Sequence, residues 1–219
     1  MARYRIPRRV GIGLALATAG WGLWTARYSL LHWGATHAEL QETLPGDELI
    51  PDPRRVATRS ITIDAPPDAV WPWIAQLGQG RGGLYSYDGL ENLAGCEIHS
   101  LDQIVPELQT IEVDDEVRLH PKVALTVWSV QPGSHLVLRP GPVGRGDGDL
   151  DGAPFDYTWA FVLRRHPGRR TRLLVRERYA LLRPGAGAIV EPLAVVSAFM
   201  GIKQLRGIRD RAARTAVDR

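Results

Sequence analysis

Beyond residue 110 the chain alternates apolar and polar positions with period two over residues 116–119, 122–130, 135–139, 155–164 and 172–182. That spacing predicts strands with one buried face. Pro132-Gly133 and Pro167-Gly168 break the runs with turn chemistry, and 141–154, rich in Gly and Asp, reads as a longer loop. Short turns between alternating runs make neighbouring strands antiparallel. One more strand is predicted upstream at 59–64, where Ile61 and Ile63 share a face before Pro66 and Pro67 close it.

Helical spacing holds elsewhere. Val70, Trp71, Trp73, Ile74 and Leu77 recur at three and four, which predicts a helix over 68–77 stopped by Gly78. A shorter helix is predicted over 87–93, with Leu90 and Leu93 on one face and Gly95 after it. From about 188 to 213, Ile189, Val190, Leu193, Val196, Phe199, Met200, Ile202 and Leu205 give a broad apolar face. Arg206, Arg209, Arg211 and Arg214 suit its C-terminal end. Strand, two helices, an antiparallel meander and one long helix make an α+β fold. The last helix must cover the apolar face of a curved sheet of six or seven strands, with a cavity between them.

Residues 10–26, VGIGLALATAGWGLWTA, carry no charge and follow Arg3, Arg5, Arg8 and Arg9. At 1.5 Å per residue they span roughly 25 Å, which predicts an N-terminal apolar helix anchored in a membrane, with Trp21, Trp24 and Tyr28 at the far interface. The flanking arginines favour a cytoplasmic N-terminus. A cleaved signal peptide and a soluble helix are the alternatives; the first lacks a clean A-x-A site before Arg27, and the second fits poorly with an all-round apolar surface and four glycines. Proline and charge over 45–55 mark a linker or ordered loop. The division is then 1–33 for the basic segment and anchor, 34–58 for the linker, and 59–219 for the globular domain.

Charge narrows the function. Lys and Arg total 27 against 24 for Asp and Glu, and the arginines are spread along the chain, which is no footprint for nucleic acid. Cys96 is the only cysteine, so there is no internal disulfide and no thiolate-rich metal site; beside Ala94, Gly95 and Glu97 it reads as a small structural residue. No H-E-x-x-H pattern supports a metal, and no cofactor is expected.

Gly78, Gly80 and Gly83 match G-x-G-x-x-G, but a helix precedes them where a dinucleotide fold needs a strand. The segment GQGRGGLYSYD reads instead as a tight turn beneath the sheet mouth that presents Arg81, Tyr85, Tyr87 and Asp88, with a plain helix-capping loop as the alternative. Asp88 and Glu91 share a helical face near Asn92, with His99 and Asp102 downstream; converging, they could move protons on a substrate. Ser86 lies in no G-x-S-x-G elbow. Trp128, Tyr157, Trp159, Phe161 and Tyr179 fall on strands, where they are core or cavity wall.

The text ATRSITIDAPPDAVWPWIAQLGQGRGGLYSYDGLENL, with WGATHAELQETLPGDELIPDP and EIHSLDQIVPELQ, resembles bacterial membrane-associated members of the SRPBCC superfamily, which includes START domains and polyketide cyclase/dehydrase-like proteins. The resemblance covers roughly residues 33–215. It implies a START-like helix-grip domain with a hydrophobic pocket. The expected activity is binding of a hydrophobic or amphipathic small molecule, a lipid or polyketide-like compound, at a membrane. A cyclase or dehydratase acting on a polyketide-like substrate in the same cavity is the alternative. The residues expected to contact the ligand are Trp73, Arg81, Tyr85, Tyr87, Asp88, Glu91, Trp128, Trp159 and Tyr179.

Overall fold

The computed structural model describes residues 8–141 and 153–217, with side chains from residue 18 onward except that of residue 19. Its elements run α1 (Arg8–Leu31), α2 (His37–Gln41), β1 (Arg55–Ile63), α3 (Pro67–Ala75), α4 (Asp88–Leu93), β2 (Glu116–His120), β3 (Val123–Gln131), β4 (His135–Pro140), β5 (Phe155–His166), β6 (Arg170–Leu181) and α5 (Gly187–Val217). Most of the expected 141–154 loop, residues 142–152, lies outside the described residues.

The six strands form one antiparallel sheet in the order β1-β6-β5-β4-β3-β2. Strands β2 to β6 are a meander, and β1 closes the other edge by pairing with β6 from Arg55↔Tyr179 to Ile63↔Thr171. Strand β1 begins at Arg55, ahead of the expected 59, because β6 is long enough to pair with residues that the local proline content marks as linker. The sheet's inner face holds Ile61, Ile63, Phe161, Leu173 and Val175, all in the main hydrophobic core.

Helix α3 begins with Pro67 in its first turn, where the missing N–H is not needed, and buries Ala69, Val70, Trp73 and Ile74. Helix α5 crosses β1 and packs on α3. Its buried stripe is narrow and mostly small: Val190, Ala194, Ala198, Gly201, Leu205 and Ile208. Two glycines set the distance of approach. A Cβ at Gly207 would stand 2.2 Å from the backbone oxygen of Tyr85, and one at Gly201 would stand 3.0 Å from Nε and Nη2 of Arg59. The α+β helix-grip arrangement read from the periodicities is therefore present: an antiparallel sheet held against one long C-terminal helix.

The N-terminal expectation is corrected. Among the described residues, the helix long and apolar enough to cross a membrane is α5, Gly187–Val217, at the opposite end of the chain, and 28% of its apolar window is buried in protein. The sheet and α3 pack against its small-residue stripe, while Ile189, Leu193, Val196 and Phe199 of the same helix are exposed. The second half of α1 is tied beside it: Arg27 pairs with Glu191 of α5, and Leu31 is buried. The single N-terminal anchor at 10–26, and the orientation drawn from it, are thus overturned; the side chains of residues 10–17 lie outside the described set.

The outer face of the sheet is covered by residues 34–50. A capping box at Thr36 and Glu39 starts α2. Glu39 then takes Arg172 of β6, and Asp47 takes Arg176 and Arg178 of the same strand.

Candidate ligand-binding site

Alternation along β1 aims Arg59 inward, on the same face as Ile61 and Ile63, and alternation along β6 does the same for Glu177 and Tyr179. Register then brings them together: Glu177 lies opposite Trp159 of β5, and Tyr179 opposite Tyr157. Ser197 comes down from α5. The result is a polar group within an apolar interior, with Arg59 fully buried and Glu177 1% exposed.

Arg59 Nη2 stands 2.9 Å from Glu177 Oε1. The Glu177 carboxylate is well served, since Oε1 accepts from Ser197 Oγ at 2.5 Å and Oε2 from the Tyr179 hydroxyl at 3.3 Å. The guanidinium is not. The contact with Glu177 has the distance of an ion pair without hydrogen-bond alignment, and Nε, Nη1 and Nη2 of Arg59 have no acceptor among the described residues. Trp159 Nε1 is likewise buried and unpartnered. Buried donors without acceptors are rare, and each costs about 1–3 kcal/mol, more when charged.

The aromatic wall stacks along β5 and β6. Tyr157 and Tyr179 meet at a ring-centroid distance of 4.9 Å, and Trp159 and Phe161 at 4.7 Å. Burial first, then the negative charge of Glu177, push the Tyr157 and Tyr179 hydroxyls well above the ordinary tyrosine range, so both stay protonated. Phe155, Tyr157 and Trp159 keep 7–8% of their surface accessible while neighbouring Phe161 keeps none.

The residues singled out in the sequence distribute over several places. Trp159 and Tyr179 belong to this cluster. Trp73 is buried on α3 and packs edge-on against Tyr85, its Nε1 unpartnered. Tyr85, at φ +58°, is buried under α5 with Gln76 Nε2 donating to its hydroxyl and Arg211 above its ring. Burial pushes the Tyr85 hydroxyl up to about 12 despite Gln76 and two nearby arginines. Arg81 donates to the carbonyls of Ala75 and Leu108 and so braces the glycine turn, in which Gly78 and Gly83 form a bridge.

Tyr87 is half-buried and stacks on Phe199 of α5 at 5.1 Å. Asp88 accepts from the backbone and hydroxyl of Ser100, so it fastens a loop. Glu91 is buried with one oxygen bonded to Ser86 and the other unpartnered; burial raises its pKa against the pull of Ser86. Asp102 pairs with Arg211 and Arg214, and His99 is exposed, so no acid-base convergence of His99 with Asp88 and Glu91 is formed. Trp128 is 41% exposed with Arg139 over its ring, apart from the inner face.

Sequence reasoning missed Arg59, Glu177 and Ser197 and set Tyr157 among the core aromatics. The readable signal was parity: Arg59 and Glu177 occupy positions that the alternation assigns to the buried face.

Open clefts lie on other faces. One of about 410 Å³ sits between residues 32–51 and the outer face of β1 and β6, but the Arg176 guanidinium inside it is already taken by Thr58, Glu42, Asp47 and Glu39. Another, of about 850 Å³ at the β5–β6 turn, is lined by Arg165, His166, Arg169 and Arg170.

No protein-family model matches the chain, and no curated protein matches it. Among solved structures it is similar to protein MLL2253 from Mesorhizobium loti, at 18% identity over 74% of this chain and 98% of that one, with a TM-score of 0.41. It is similar to norcoclaurine synthase from Thalictrum flavum at 14% identity over 75% and 87%, TM-score 0.42, and to hypothetical protein jhp0584 from Helicobacter pylori at 10% over 78% and 95%, TM-score 0.46.

Proposed function

We propose that the protein binds a hydrophobic or amphipathic small molecule, lipid-like or polyketide-like, between the inner face of the sheet and α5. One observation carries this reading: a charged and aromatic cluster with unserved donors sits in an apolar interior beside residues that water can still touch. A core built only for stability gains nothing from it, since apolar side chains of the same volume would be equal or better. The state of Glu177 favours binding over acid-base turnover. Its oxygens are held by Arg59, Ser197 and Tyr179, so it is a poor candidate for a mobile proton acceptor.

The test is titration of the neutral fluorescent probe N-phenyl-1-naphthylamine. Saturable one-to-one binding is expected, and Ala198→Phe, which adds bulk to the sheet-facing side of α5, should weaken it at least about tenfold while circular dichroism still reports a folded chain. Absence of saturable binding to the wild-type protein, or binding indifferent to Ala198→Phe, would overturn the reading.

A further inference from the structure

We infer that the polar end of the ligand is a carboxylate, seated on the free nitrogens of Arg59 and the indole N–H of Trp159. The inference rests on the binding reading above and adds the ligand's chemical class.

The inventory of the cluster is one-sided. Both oxygens of Glu177 already accept hydrogen bonds, from Ser197 and Tyr179. The three guanidinium nitrogens of Arg59 and Nε1 of Trp159 have no acceptor. A ligand head made of donors, such as an amine, would find no acceptor left for it here. A carboxylate brings acceptors only, and it is the group whose geometry a guanidinium matches best. Nε and Nη2 face α5 at Gly201, and Nη1 is buried without an acceptor among the described residues.

The surrounding field is positive. At the β1 edge, burial first and then Arg59, Arg55, Arg176 and Arg27 all lower the pKa of His32, so this end of the sheet repels added positive charge. Arg27 and Arg55 share the single carboxylate of Glu191. Arg176 is paired with Asp47 on the outer face, so the charge in contact with Arg59 is that of Glu177. Phe155 and Tyr157 then offer the apolar remainder a wall along β5.

The experiment compares 11-(dansylamino)undecanoic acid with its methyl ester at pH 7.5, with the full chain, by fluorescence titration. The acid is expected to bind at least about tenfold more tightly than the ester, the scale of one charge-assisted hydrogen bond. In the double variant Arg59→Met with Glu177→Gln, which removes both charges together, that ratio should collapse to about one. Dodecanoate or 2-naphthoate displacing the acid would assign the carboxylate to a chain-like or an aromatic body. Equal binding of acid and ester to the wild-type protein overturns the carboxylate assignment and leaves the binding reading standing, as does a ratio that survives the double variant. Displacement by neither competitor also overturns it. Binding of neither dansyl probe overturns both. The wild-type ratio decides the matter even if the variant fails to fold.

Discussion

Gln76 spends every hydrogen-bonding group it has. Its Nε2 donates to the Tyr85 hydroxyl and the Gln103 carbonyl, and its Oε1 accepts from the Val105 amide and from Gln109. Leucine fills the same volume and leaves those partners buried and unserved, so Gln76→Leu is expected to lower unfolding free energy by about 3 kcal/mol in urea titration. Glu91 is the opposite case, a buried carboxylate with one oxygen unpartnered. Its pKa is raised by burial, so its neutral form favours the fold, and stability is lost as pH rises through that pKa. Glu91→Gln should raise the melting temperature at pH 7 and bring little gain near pH 4. A variant less stable than wild type at pH 7 would contradict this. The role of Gln76 was not legible in the sequence, because its hydrogen-bond saturation depends on a loop at 103–109 whose path no periodicity records.

At the scale of elements, α2 is clamped to the sheet by Glu39, which accepts from Arg172, Ser60 and the Thr36 amide. Burial alone would raise this carboxyl, yet those donors bring it from 4.5 to about 2. A lowered folded pKa gives stability that is full above the unfolded value of 4.5 and drains as pH falls toward 2. Melting curves of Glu39→Gln against wild type should therefore differ most at neutral pH and converge near pH 2. Helix α5 makes a second prediction. Gly207→Ala drives a methyl into the backbone of Tyr85 and should cost about 3 kcal/mol, while Gly201→Ala meets only the Arg59 side chain and should cost less. The strands and α3 were legible because each buries one face and so writes its period into the chain. Helix α5 was legible as a helix but not in its face: of the expected stripe Val190 and Leu205 are buried, while Ile189, Leu193, Val196 and Phe199 are exposed and Ala194, Ala198 and Gly201 pack inward instead. The inward Arg59 and Glu177 were not read although their parity with Ile61 and Val175 put them on the buried face, because a charge on an amphipathic strand is ordinarily assigned to solvent.

For the whole molecule, the titration of Tyr85 joins loop, α3 and α5. Its hydroxyl is held up at about 12 by burial, so the stability it gives is complete below 10 and lost as pH climbs from 10 toward 12. Alkaline unfolding monitored by tyrosinate absorbance should show this step, and Tyr85→Phe should flatten it. The N-terminal segment was misread because an uncharged run after arginines resembles a lipid span in composition, whereas the helix that meets the length and hydropathy of a span is α5. In the described part of the run Trp21, Leu23 and Trp24 stand exposed, and packing on the domain begins only at Arg27, which pairs with Glu191, and Leu31. That packing has a consequence for solution behaviour. The Trp33 carbonyl accepts from the Ser60 amide, and the chain thereby runs along the open side of β1, the edge strand that β6 leaves unpaired. At the opposite margin β2 is only five residues long and carries Glu116 and Arg118. One edge is shielded by charge and shortness, the other by the chain around Trp33 that leads into α2. Removing residues 1–34 should strip that shield and turn β1 into a template for edge-to-edge pairing. Light scattering should then report concentration-dependent growth of the truncated protein, absent from the full chain.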